Sequence, residues 1–71
     1  MIYLVREIIK YEGESIVCAT NNLGFAKECF EKQKEKSKRY DDVWVELNCL
    51  DGQTYYGNIE YKVMIDSRNE L

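Results

Sequence analysis

Asn22-Leu23-Gly24-Phe25-Ala26-Lys27-Glu28-Cys29-Phe30-Glu31-Lys32-Gln33-Lys34-Glu35-Lys36-Ser37-Lys38-Arg39 is the stretch from which the fold can be read. It contains no proline and, Gly24 apart, is rich in good helix formers, so it is expected to be the only helix of the chain. Asn21 or Asn22 is the natural N-cap, its side-chain oxygen taking one orphan backbone N–H. Gly24 either weakens the first turn or allows close approach to the sheet. Leu23, Ala26, Cys29 and Phe30 fall on one face, continued by Gln33, Ser37 and Tyr40 at helical spacing. The stripe is apolar for about two turns and then fades. The first half should dock, and the basic second half, interleaved with Glu31 and Glu35, should be solvated.

Working outward, residues 2–11 are β-branched and aromatic with both parities partly apolar, which suits a strand in the middle of a sheet. Arg6-Glu7 interrupts both faces, and a bulge or a bend toward the sheet edge is expected there. Glu12-Gly13-Glu14 is a turn, with Gly13 supplying positive φ. A three-residue loop would pair Ile8 with Ile16, and a two-residue loop Ile9 with Ile16. The second strand is short and ends at the helix cap.

Beyond Tyr40-Asp41-Asp42, Val43, Val45, Leu47 and Cys49 alternate with Trp44, Glu46 and Asn48, which is a strand with one buried face. Asp51-Gly52 is the expected hairpin turn. A two-residue loop there would set Val43 against Glu60, so an odd loop, Leu50-Asp51-Gly52, pairing Leu47 with Tyr55 and Val43 with Ile59, is expected, or a bulge near Tyr55-Tyr56 with the same effect. Residues 67–71 read as a polar, frayed tail. The expectation is one α+β domain over residues 1–71. Its elements run β-β-α-β-β, giving an antiparallel sheet of about four strands with the helix on one face.

With Val43, Val45, Leu47, Ile59, Tyr61 and Val63 toward the helix, the uncovered face presents Trp44, Glu46, Asn48, Tyr56, Asn58, Glu60, Lys62 and Met64. Trp44 and Tyr56 would lie on a diagonal. Trp44, Glu46, Tyr56, Glu60, Lys62 and Met64 are therefore the candidate partner-binding residues, an aromatic and acidic patch of the kind found at protein interfaces. The competing reading is that the rings merely shield the sheet, since single exposed apolar residues are common.

The composition narrows the function classes. The 71 residues are 45% hydrophobic and 32% charged with a net charge of −3, as in a small globular domain. No apolar run approaches the ~20 residues of a membrane span. The opening Met1-Ile2-Tyr3-Leu4-Val5-Arg6-Glu7 does not fit a secretory signal. Cys18, Cys29 and Cys49 form no C-x-x-C, and the sequence has no histidine, so they read as buried free thiols in a reducing cytosol. No metal set, phosphate-binding glycine loop or other cofactor motif is present. Without histidine or an activated thiol, the sequence points away from an enzyme. The acidic balance, with Glu46 and Glu60 beside the aromatics, argues against nucleic acid.

The run Tyr3-Leu4-Val5-Arg6-Glu7-Ile8-Ile9-Lys10-Tyr11-Glu12-Gly13-Glu14, followed by Ala26-Lys27-Glu28-Cys29-Phe30-Glu31-Lys32, resembles small proteins of phages and mobile elements of low-GC Gram-positive bacteria. Those open with a V-x-E-I-x-x-Y-x-G hairpin and an A-x-x-[FY] helix, and the resemblance covers residues 2–35. It implies a bacterial cytoplasm and binding of a host protein, in host takeover or counter-defence, and it carries over no functional residue. Two alternatives stand beside it. One is a homodimer or larger homo-oligomer sequestering a small anionic ligand such as a nucleotide, suggested by the tyrosines and the cations of residues 34–39. The other is a structural subunit of a larger particle.

Overall fold

The computed structural model describes residues 1–55 and 58–68, with the side chains of 51–55 and 58–61 outside that description. Strands β1 (Ile2–Ile9) and β2 (Gly13–Thr20) precede helix α1 (Leu23–Ser37), and β3 (Val43–Tyr55) and β4 (Asn58–Asp66) follow it. The antiparallel sheet has the order β2-β1-β3-β4, so β1 is central and joins the two hairpins. Leu4 and Val5, of opposite parity, are both buried there.

Asn22 is the cap of α1: its side-chain oxygen accepts from the Phe25 N–H at 3.0 Å. A Cβ on Gly24 would lie 3.3 Å from that oxygen, so the glycine leaves room for the cap rather than for the sheet. Ala26 and Phe30 pack into the core with Val5, Val45 and Leu47. Ser37 is buried as the helical stripe requires, whereas Tyr40 is exposed.

Both hairpin registers differ from expectation. In the first, Ile9 pairs with Gly13 and Arg6 with Ile16. The turn is closed by a 3.0 Å bond from the Glu12 N–H to the Ile9 carbonyl, with Tyr11 at φ 68°. Gly13, at φ 113°, supplies the expected positive angle. The expected bulge lies beside Arg6: Val5 pairs with Cys18 and Arg6 with Ile16, leaving Val17 as the extra residue.

In the second hairpin, Asp51-Gly52 is not the turn. Strand β3 runs on to Tyr55, which pairs with Asn58, and Asp51-Gly52 falls where the pairing shifts between Leu50 and Thr54. The dipeptide thus accommodates an irregularity inside a long strand, a use of glycine that competes with turn formation. A second shift places Ile65 opposite Leu47 in the core and Val63 opposite Asn48 on the other face.

Part of the expected tail is tied down. The Ser67 N–H donates to the Val45 carbonyl at 2.9 Å, and the Ser67 hydroxyl accepts from the Val45 N–H at 3.0 Å. Residues 69–71 lie outside the described residues. Among the described residues no helix is long and apolar enough to cross a membrane.

Candidate functional site

The face of the sheet turned away from α1 can be followed in rows, because residues directly opposite share a face. One row joins Val63, Asn48, Leu4 and Ala19, and the next joins Asp66, Glu46, Arg6 and Ile16. A third places Trp44, Ile8 and Glu14 side by side.

Arg6 is the centre of these rows. Its Nε donates to Asn48 Oδ1 at 2.7 Å and one Nη to Glu46 Oε1 at 3.1 Å, while the other pairs with Glu14. Asn48 Nδ2 donates to Glu46 Oε1 at 3.4 Å, and Trp44 Nε1 to Glu46 Oε2 at 3.3 Å. The network continues through Arg68, whose guanidinium lies 4.1 Å from the centroid of the Trp44 ring and 4.0 Å from Glu46. Arg68 also bonds both oxygens of Asp66, at 3.1 and 2.7 Å. Those bonds hold the Asp66 carboxyl below, and the Arg68 guanidinium above, their ordinary pKa ranges.

Arg6, Glu46 and Asn48 are only 9%, 8% and 0% exposed, on a face that carries no helix among the described residues. A buried guanidinium is tolerated because carboxylate and amide partners satisfy its donors. Around this paired ground stand Ile2, Ile16 and Val63, each about half exposed.

Of the candidate residues, Trp44 and Glu46 are brought together as expected. Lys62 lies opposite Cys49 and so belongs to the helix-bearing face, and Met64 is the extra residue of the shift beside Leu47. Both corrections follow from the change of register. The Trp44–Tyr56 diagonal required Asn58 opposite Trp44, but Asn58 pairs with Tyr55 and Trp44 with Ile8. Tyr56 and the side chain of Glu60 lie outside the described residues. Arg6 and Arg68 were not anticipated as part of the patch. A signal for Arg6 was available, since a charge in mid-strand with apolar neighbours at both parities needs a buried partner, and Glu46 has the matching parity.

The cysteines are free thiols, with Cys18 and Cys29 partly buried against the core and Cys49 buried. Burial, reinforced by a hydrogen bond and charge repulsion with Cys29, pushes the Cys18 thiol up to about 11, so it is not an activated nucleophile at neutral pH. Among the described residues no group of three or more His, Cys, Asp or Glu is placed to hold a metal ion. Comparisons with protein-family models, curated proteins and solved structures found no match.

Proposed function

We propose that this chain is a small non-catalytic protein-interaction module that docks a partner protein on the sheet face opposite α1. The observation that carries the reading is the ring of half-exposed Ile2, Ile16 and Val63 around the buried, mutually bonded Arg6, Glu46 and Asn48. A partner covering this face removes apolar surface from water without stripping a charge of its ligands, which is the balance a stable interface needs. Trp44, held between Glu46 and Arg68, is a pre-ordered aromatic anchor at the margin of the patch. The resemblance of residues 2–35 to phage and mobile-element proteins supports a host bacterial protein as the partner.

Native mass spectrometry, alone and with lysate of a low-GC Gram-positive host, tests this reading. A defined heteromeric complex is expected, lost in the Ile16→Asp/Val63→Asp variant while its circular dichroism is unchanged. A strict monomer with no complex overturns it. A homodimer abolished by the same substitutions assigns the patch to self-association instead.

A further inference from the structure

Where the C-terminal half of α1 passes the start of β3, a half-open groove of 560 Å³ is lined by Lys34, Lys38, Arg68, Trp44, Tyr40 and Ser37. We infer that this groove is a binding site for a small organic anion with a planar ring, of the nucleoside-monophosphate class. It is built within one chain and shares Trp44 and Arg68 with the margin of the interaction face, but its ligand test does not depend on a partner protein.

Volume and lining chemistry support this. The groove falls within the range of about 300–1,000 Å³ typical of small-ligand sites. Its lining holds three cations and one carboxylate, Glu35. Lys34 pairs with Glu31 at 3.4 Å and Lys38 with Glu35 at 3.8 Å, contacts one helical turn apart whose carboxylates are exposed. The Lys38–Glu35 pair is of the surface kind worth about 0–1 kcal/mol, so a phosphate or carboxylate can take over the Lys38 ammonium at little cost. The C-terminal end of a helix repels anions, and the cations of the last turn must outweigh it.

Two further observations point to a ligand rather than to a solvated cleft. The Ser37 hydroxyl is buried, in a residue only 6% exposed, and meets no hydrogen-bond partner among the described residues. A buried hydroxyl without a partner costs about 1–3 kcal/mol, and a small rotation toward an oxyanion in the groove would satisfy it. The rings at the groove are also placed for stacking. Arg68 covers one face of Trp44, 4.1 Å from the ring centroid, and Tyr40 stands exposed at the margin as a ring on which a planar ligand can stack.

Trp44 is the single tryptophan of the chain, so its fluorescence reports directly on the groove. Adenosine monophosphate, adenosine and inorganic phosphate should be titrated separately, with calorimetry as the independent readout. Expected is saturable quenching by the monophosphate, weakened at least tenfold, about the loss of one charge-assisted contact, in Lys34→Gln/Lys38→Gln. Rising salt should weaken it as well. Both substituted lysines lie outside the core, so the variant should keep its circular dichroism. Absence of saturation up to about 1 mM overturns the inference. Equal binding by adenosine or by phosphate alone, or an affinity unchanged in the double variant, does the same.

Discussion

On the face of the sheet under α1, Val5, Val45 and Leu47 are buried against Ala26 and Phe30. On the other face Arg6, Glu46 and Asn48 are buried almost as completely, but by their bonds to one another. The same strands thus use two means of excluding water. The apolar face gains free energy in proportion to area and tolerates small rearrangements. The polar face gains little net energy and fixes geometry instead, because each donor must meet its acceptor. A 71-residue chain with one helix among its described residues has helical cover for one face only, and a bonded network serves the other.

The largest expected difference tests the apolar side. Phe30→Ala should cost about 3–5 kcal/mol in urea denaturation, enough to unfold much of a chain this small. Next, Arg6→Met strands Glu46 without its main partner and should cost about 3 kcal/mol. If the network specifies geometry more than it stabilises, Arg6→Met/Glu46→Leu should recover most of that loss. Single-substitution costs below about 1 kcal/mol would place the pair with ordinary surface salt bridges and remove the contrast between the faces.

The apolar face was largely legible in sequence because periodicity reports on it. The stripe of α1, the central position of β1 and the alternation from Val43 to Cys49 all follow from residues repeating at helical or strand spacing. The polar face was legible in Trp44, Glu46 and Asn48 but not in the arginines that join them. Arg6 was read as an interruption, since a single charge has no period and its partner lies 40 residues away in sequence. Arg68 was read as tail for the same reason: only the tertiary contact with Trp44 gives it a place. Asp51-Gly52 misled because local turn preference was outweighed by extending β3 to pair Thr54 with Ile59 and to bring Ile65 over Leu47. Two irregularities in register absorbed the parity conflict that a regular hairpin could not.

A smaller effect sharpens the comparison at the margin of the polar face. Arg68→Gln removes the cation above Trp44 and should cost about 0.5–1 kcal/mol, with the Trp44 emission moving to longer wavelength as water reaches the ring. An unchanged spectrum would mean that Arg68 does not shield Trp44 in solution.

The smallest effect concerns Cys18, which lies on the apolar side yet titrates. Its thiol is raised from 9.0 to about 11, first by burial and then by its contact with Cys29. The folded chain therefore holds this proton where the unfolded chain has lost it. The contribution is fully present below pH 9, declines as the pH rises, and is gone above about 11. Stability should fall across this window in the parent and fall less steeply in Cys18→Ala. Alkylation of Cys18 by iodoacetamide at pH 8, followed by peptide mass spectrometry, should accordingly be slow beside that of a free thiol. Parallel pH profiles together with rapid alkylation would show that water reaches Cys18 freely. The apolar face would then be less completely dried at its β2 edge than the Arg6 network is on the opposite side.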